Sequence, residues 1–268
     1  MVKAAYSSGT PAYGVGAGNA VVIVDETADL ADAAEKIFQG KTFDNATSCS
    51  SENSLVIHAS IYQEMLEELK QQGAYLCSAE ERAKLQALMW PDGKHLNGAI
   101  VAQPVEKLAA MAGLDIPEGT TFLMVEGKQV GKEDPFCKEK LSLVLTLWQY
   151  EAFEDAVKMV EEITALNGRG HSCGIHTASE AHILQLGMRA KASRIMVNQP
   201  HSYGNSGNYT NGMPFTLTLG CGTWGGNITT ENIHWKHYLN VTWISKPIPP
   251  VVPDEEAIFG DYWQKFGK

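Results

Sequence analysis

Positive charge is scarce in this chain: 21 Lys and Arg stand against 31 Asp and Glu, giving a formal net charge of −10. Nucleic acids and anionic membrane surfaces recruit proteins through clustered Lys and Arg, so neither is expected as the main partner. Long apolar runs are missing too. No stretch reaches the roughly 20 residues of a bilayer span, and the N-terminus lacks the charged-then-apolar pattern of a secretory signal. The expectation is a soluble, cytoplasmic protein. Cysteines are few, odd in number and scattered (Cys49, Cys77, Cys137, Cys173, Cys221), with no Cys-x-x-Cys pair. That pattern excludes a disulfide framework and a zinc ribbon and predicts reduced thiols. The His171-Ser172-Cys173-Gly174-Ile175-His176 cluster matches no standard zinc spacing and no second cluster completes it, so no metal site is expected.

A hydrophobic content of 44% over 268 residues is enough for a substantial core without disulfides or metal. Strand and helix signals alternate. The run Ala20 to Val24 reads as a strand. A helix follows from about Ala28 to Gln39, with Leu30, Ala33, Ala34, Ile37 and Phe38 on one face and Gly40 as its stop. Ser54 to His58 reads as a strand, followed by a helix that begins after Ser60 and ends at Gly73. Ser78-Ala79-Glu80-Glu81 fits a capping box for a helix reaching Trp90. Short strands are expected at Ala99–Ala102 and Thr121–Glu126, a helix at Val105–Ala112, a buried strand at Leu141–Trp148 and an amphipathic helix at Phe153–Leu166. Thr177-Ala178-Ser179-Glu180 caps one more helix, and Arg194–Asn198 is a strand. The alternation predicts an α/β sheet covered by helices.

Three stretches point to function. In Thr42-Phe43-Asp44-Asn45-Ala46-Thr47-Ser48-Cys49, a thiol sits among small and polar residues just before the apolar run Leu55-Val56-Ile57. Buried structural cysteines usually have apolar neighbours, so Cys49 is a candidate nucleophile. The run Gly14-Val15-Gly16-Ala17-Gly18 invites a dinucleotide-loop reading, with Gly14 and Gly16 as cofactor-binding candidates. It precedes a strand instead of following one, which fits equally a glycine turn that lets two backbones cross closely. From Gln199 to Asn232 the chain turns rich in Gly, Asn, Ser and Thr, the composition of long functional loops. That segment contains Cys221, a second candidate nucleophile whose flanking glycines also suit a tight crossing. His237 to Ser245 alternates as a strand and leads into the Pro-rich Lys246-Pro247-Ile248-Pro249-Pro250, a combination that predicts pairing with another subunit and a homo-oligomer.

Taken together, Thr42-Phe43-Asp44-Asn45 with Cys49, Glu139-Lys140-Leu141-Ser142, Gly170-His171-Ser172 and Leu219-Gly220-Cys221-Gly222-Thr223-Trp224-Gly225-Gly226-Asn227 resemble the CoA-acylating branch of the aldehyde dehydrogenase superfamily. The likeness runs from the first residues to about Lys246. It implies the three-layer α/β/α catalytic domain of that family, with remnants of its nucleotide-binding domain (1–25), the catalytic domain itself (26–220), and a return segment with oligomerisation strand and tail (221–268). It also implies roles. Cys49 matches the nucleophile that carries the acyl group as a thioester, Glu139 the acid that holds the nicotinamide ribose, and His171 a histidine beside the acylating site. NAD or NADP is the implied cofactor, coenzyme A the co-substrate, and the substrate a small anionic aldehyde. The Asn-Gln-Pro loop and Asn211 to Phe215 are most like members acting on sulfoacetaldehyde, with succinate semialdehyde next. Arg189, Lys191, Arg194 and the loop near Asn205 are the candidate anion binders. Members that release a free acid place a carboxylate base in the segment that here reads Gly14 to Asn19, and no Asp or Glu occurs before Asp25. Without it a thiol acceptor is the easier resolving agent. Relatives also have a long N-terminal region with most of the nucleotide-binding fold. Its absence leads to the expectation that the chain alone binds NAD(P) weakly and has little activity. A catalytically silent oligomerising fragment and a thiol hydrolase using Cys49 and His171 are the alternatives.

Overall fold

The computed structural model describes residues 1–268, which divide into two compact units, Met1–His234 and Trp235–Lys268. In the first, a seven-stranded sheet has the order β3-β4-β5-β2-β1-β6-β7. Its strands are β1 (Ala20–Val24), β2 (Glu52–His58), β3 (Ala74–Leu76), β4 (Phe122–Glu126), β5 (Val144–Tyr150), β6 (Cys173–His176) and β7 (Ile195–Val197). Every pairing is parallel. Parallel strands are buried on both faces, which is why β1 reads as an unbroken apolar run. Strand alternation then divides the core in two. Val22, Val24, Leu55 and Ile57 face one cluster with α2 (Leu30–Thr42), α3 (Tyr62–Gln71), α4 (Ala79–Met89) and α5 (Val105–Ala112). Val21, Ile23, Val56 and Ile175 face the other with α6 (Phe153–Leu166) and α7 (Glu180–Arg189). Helix layers on both sides of one sheet are the expected three-layer architecture. The numbering leaves α1 for Val2–Tyr6, α8 for His201–Ser206 and α9 for Glu255–Phe266. No helix is long and apolar enough to cross a membrane.

Most element expectations hold, the Ser78–Glu81 capping box among them. Several differ for identifiable reasons. Helix α2 runs through Gly40 to Thr42; a Cβ on Gly40 would lie 2.1 Å from Glu52 Oε1, so this glycine serves a close approach and not a helix stop. Ala99–Ala102 is a single turn of 3-10 helix, Gly98–Ile100, capped by the Asn97 side chain; a four-residue apolar run does not distinguish strand from turn. Strand β5 starts at Val144 because Leu141 has a left-handed φ of 45°. Helix α8 lies inside the segment expected to be irregular. In the second unit, His237–Ser245 forms no strand: Trp235–Tyr238 is a 3-10 turn, and α9 follows the proline-rich stretch. Alternation makes a strand only where a neighbouring ladder takes up the backbone groups.

Two features fix the Pro135–Ser142 connection that leads into β5. Arg82 on α4 donates both hydrogen bonds of a buried bidentate pair to Asp134, at 2.7 and 2.8 Å. Asp134 in turn accepts from the backbone of Lys128 and Phe136. Asp134→Ala leaves the guanidinium buried and unpaired, and a urea titration should show a loss of about 3–5 kcal/mol. On the sheet, burial, aided by the charge of Lys36, pushes the His176 imidazole down to about 4. The native state therefore keeps His176 neutral while the unfolded chain takes up a proton below pH 6.5. Stability from this group is present at neutral pH and is lost as pH falls toward 4. His176→Gln should flatten the decline of the urea midpoint between pH 6.5 and pH 4.

Candidate active site

Five loops converge on the amino edge of the sheet. Asn19 precedes β1, Cys49 precedes β2, Glu139 precedes β5, His171 precedes β6 and Arg194 precedes β7. Buried amides stitch these loops together. Asn19 donates to the carbonyl of Cys137 at 2.8 Å and accepts from the Asn53 side-chain amide. Asn53 also donates to the carbonyl of Lys138 at 2.8 Å, and its Oδ1 receives the Lys140 N–H. The entries to β1, β2 and β5 are thereby locked in one register.

The Cys49 loop makes a tight descent from α2. Asp44, Asn45 and Ala46 are all left-handed, with φ of 50°, 50° and 58°. Asn and Asp tolerate that region; Ala46 is held there at a cost of about 1 kcal/mol or more. The hold is visible: Asn45 donates to the carbonyl of Ala102, Thr47 to that of Asp44, and the Phe43 ring meets Tyr203 on α8 edge-on at 4.9 Å. Helix α8 also places His201 Nδ1 2.6 Å from the Ser50 carbonyl and its Ser202 hydroxyl on the carbonyl of Gly40. Beneath the loop, Gly18 passes so close that a Cβ would lie 1.8 Å from the Cys49 carbonyl oxygen.

Cys49 Sγ lies 3.0 Å from His171 Nε2, and His171 Nδ1 lies 2.8 Å from Ser172 Oγ. Burial, with the cation of Arg194 and His201 nearby, pushes His171 down to about 3. Burial, with the negative charge of Glu139, pushes the Cys49 thiol up to about 11, and Arg194 acts in the opposite sense. The resting pair is neutral. A thiol that keeps its proton donates it to Nε2, which puts the ring proton on Nδ1 toward Ser172. Arg194 is itself buried and occupied, donating to the carbonyls of His171, Gly220 and Thr230 and to Asn232 Oδ1 at 2.5–3.2 Å.

Glu139 borders the same small pocket, about 10 Å³ and room for one water, together with Asn19, Lys41, Ser48, Cys49 and Ser51. Burial pushes the Glu139 carboxyl up to about 7, opposed by the Gly18 N–H bonded to it. Lys41, wholly buried, gives its ammonium to the Glu52 carbonyl at 2.9 Å, and burial pushes it down to about 7.

The structure thus brings Cys49, His171 and Glu139 together and sets other candidates apart. Cys221 is buried, its Sγ 3.6 Å from the Leu219 carbonyl, and a Cβ on Gly16 would lie 2.9 Å from that sulfur. A Cβ on Gly14 would meet Val2 and Tyr6. Both glycines therefore serve close crossings. Of the candidate anion binders, Arg194 is consumed by carbonyls, Arg189 pairs with Glu154 and Glu161 on α6 at 2.7 and 2.8 Å, and Asn205 is buried with its amide on the His201 carbonyl. Lys191 is exposed. Sequence reasoning passed over Lys41, Asn19, Asn53 and Ser172. Lys41 did leave a signal: it falls four residues after Ile37 on the buried stripe of α2.

With that geometry in place, comparison with known proteins places the chain. The model of the aldehyde dehydrogenase family matches residues 2–86. The sulfoacetaldehyde dehydrogenase (acylating) of Bilophila wadsworthia is 51% identical over 272 residues, covering 100% of this chain and 59% of that protein. The succinate-semialdehyde dehydrogenase (acetylating) of Clostridium kluyveri is 40% identical, covering 97% and 57%. An acetylating aldehyde dehydrogenase from Geobacillus thermoglucosidasius superposes with a TM-score of 0.87 at 40% identity, over 93% of this chain and 56% of that one. A Rhodopseudomonas palustris propionaldehyde dehydrogenase with bound propionyl-CoA does so with a TM-score of 0.76 at 26% identity, over 85% and 49%. The resemblance carried by the motifs is borne out: the chain is similar to acylating aldehyde dehydrogenases along its whole length. It spans little more than half of theirs.

Thiolate content sets alkylation rate. Against an ordinary thiol at 9.0, a value of about 11 leaves about a hundredfold less thiolate at neutral pH. Iodoacetamide should modify Cys49 about a hundredfold more slowly than free cysteine at pH 7.5, and the rate should rise about tenfold per pH unit toward pH 10. Fast, pH-independent alkylation contradicts the neutral pair.

Proposed function

We propose that this chain is the catalytic part of an NAD(P)-dependent, CoA-acylating aldehyde dehydrogenase acting on a small anionic aldehyde, sulfoacetaldehyde in preference to succinate semialdehyde or acetaldehyde. The observation that carries the reading is the contact between Cys49 and His171 at 3.0 Å, with Cys49 lining a pocket that it shares with Glu139. Similarity to the sulfoacetaldehyde enzymes supports the substrate class.

In this reading His171 Nε2 takes the thiol proton as Cys49 Sγ bonds to the aldehyde carbon, and the carbonyl oxygen becomes the oxygen of a thiohemiacetal. NAD(P)+, when bound, supplies the hydride acceptor that turns this adduct into a thioester on Cys49. The Glu139 carboxylate, free toward the pocket and steadied by Gly18, is the group here that suits the nicotinamide ribose hydroxyls. Gly14 and Gly16 contribute by letting their segment run close under the site, not by cradling a pyrophosphate. After the net proton of the oxidation has passed from His171 to solvent, the thiol of coenzyme A attacks the thioester carbonyl, His171 takes that thiol's proton, and the C–S bond to Cys49 breaks as His171 returns the proton to the departing sulfur. Glu139 is the one carboxylate bordering the pocket, and with it committed to the ribose no carboxylate is left to activate water. The second unit exposes Val241, Trp243, Ile244, Phe259 and Tyr262, apolar surface suited to a second copy in a homo-oligomer. A thiol hydrolase is the second reading, and the Cys49–His171 pair alone favours it.

Aldehyde oxidation followed as NAD(P)H at saturating CoA tests the proposal. Sulfoacetaldehyde should give the highest kcat/KM and acyl-CoA as product. Cys49→Ala should abolish turnover and His171→Ala should lower it by about 10²–10⁴-fold. Free acid as the product, or p-nitrophenyl ester turnover independent of nucleotide and CoA as the main Cys49-dependent activity, favours the hydrolase.

A further inference from the structure

The carboxyl edge of the sheet, opposite Cys49, carries a polar cluster that the proposed reaction does not use. Asp25 follows β1, His58 ends β2, Tyr150 ends β5 and Thr177 follows β6. Each stands two residues beyond an inward residue of the α6/α7 face, namely Ile23, Val56, Trp148 and Ile175. Strand alternation therefore turns all four side chains toward that face. Helix α7 lays His182 over them, with Nδ1 2.7 Å from Asp25 Oδ2 and its ring stacked on Phe153 at 3.9 Å. Glu26 joins from the next position. One ligand atom each from Asp25, Glu26 and His182 lies within 4.8 Å of the others.

Tyr150 supplies a separate observation. Its side chain is 3% exposed, and its hydroxyl has no hydrogen-bond partner. The ring is edge-on to His58 at 5.1 Å and to Phe153 at 6.4 Å, so it stands between the imidazole 4.0 Å from Glu26 and the ring that stacks on His182. Its side chain belongs to the α6/α7 face, the face to which Asp25 turns, and its hydroxyl bonds to neither carboxylate. A buried hydroxyl in that position lacks a group to bridge it. Tyr150 also borders a groove of about 790 Å³ along the ends of β4 and β5.

We propose that Asp25, Glu26 and His182 form a binding site for a divalent transition-metal cation, with the Tyr150 hydroxyl, or a water it holds, completing the coordination. Two carboxylate oxygens and one imidazole nitrogen suit Zn²⁺ or Mn²⁺ over Mg²⁺ and Ca²⁺, which favour all-oxygen sets. On binding, the Nδ1 that now meets Asp25 Oδ2 turns its lone pair to the cation. Asp25 stays oriented by Thr27 and Thr177, which both donate to it. The cation ties β1 to α7 at the edge away from Cys49, so its role is to brace the sheet and not to take part in acyl transfer. No metal site was expected from cysteine and histidine spacing; this one is built from residues that meet only in the fold.

The test is calorimetric titration of the EDTA-treated Cys49→Ala chain, which removes the thiol at the amino edge, with ZnCl₂, MnCl₂ and MgCl₂. One Zn²⁺ or Mn²⁺ per chain should bind with a raised Tm. The exposed Glu26→Gln and the partly buried His182→Ala should each weaken binding by about 10–100-fold, with Tyr150→Phe a smaller loss. Circular dichroism of each variant confirms folding. No saturable binding, affinity unchanged in both Glu26→Gln and His182→Ala, or Mg²⁺ binding as tightly as Zn²⁺ would overturn the proposal. None of these results depends on dehydrogenase activity.

Discussion

The hydrogen bond between Cys49 and His171 spans 122 positions in sequence, and the chemistry of the amino edge rests on it. It exists because two loops are held rigidly from below. The Asn19–Asn53 amide pair fixes the entries to β1, β2 and β5, and Arg194 grips the His171 carbonyl while its other donors reach Gly220, Thr230 and Asn232. Four of the guanidinium's five N–H donors are thereby taken up within the protein. The guanidinium acts as a fixed positive charge that disfavours imidazolium at His171 and favours thiolate at Cys49. The thiol's high proton affinity and the histidine's low one leave the resting pair neutral.

Open parallel sheets generally bind ligands beyond the carboxyl ends of their strands. In this chain Cys49 lies at the amino ends instead, where five loops converge. The carboxyl edge keeps a polar cluster around Asp25 and a large groove beside Tyr150. The two edges are separated by the length of a five-residue strand, β1, about 16 Å. A perturbation at one is therefore readable independently of the other.

How much of this was legible in the sequence differs by residue. The strands and helices that flank Cys49 announce themselves through period and caps, and Phe153–Leu166 does so to the residue. Strand β3, at three residues, is too short for any period to define, whereas β7, equally short, falls inside the expected Arg194–Asn198. Cys49 stood out because its neighbours are polar; His171 and Glu139 acquired roles only through family resemblance. The residues that hold them could not be found that way. Asn19 reaches a carbonyl 118 positions away, and a buried asparagine has no local pattern. Lys41 and Arg194 look like surface charges until the fold buries them, and Gly40 looks like a helix stop until Glu52 is seen to fill the space beside it.

The central claim is that Cys49 carries the acyl group and passes it to coenzyme A. The half-reaction that isolates it needs no nucleotide: the Cys49 thiol attacks an acyl-CoA, a thioester forms on the sulfur, and coenzyme A leaves as the free thiol. Intact-mass and peptide mass spectrometry after incubation with acyl-CoA should show one acyl group, on Cys49, removed again by excess CoA and absent in Cys49→Ala. Acylation of another residue, or an adduct on Cys49 that water clears as fast as CoA does, would contradict the account.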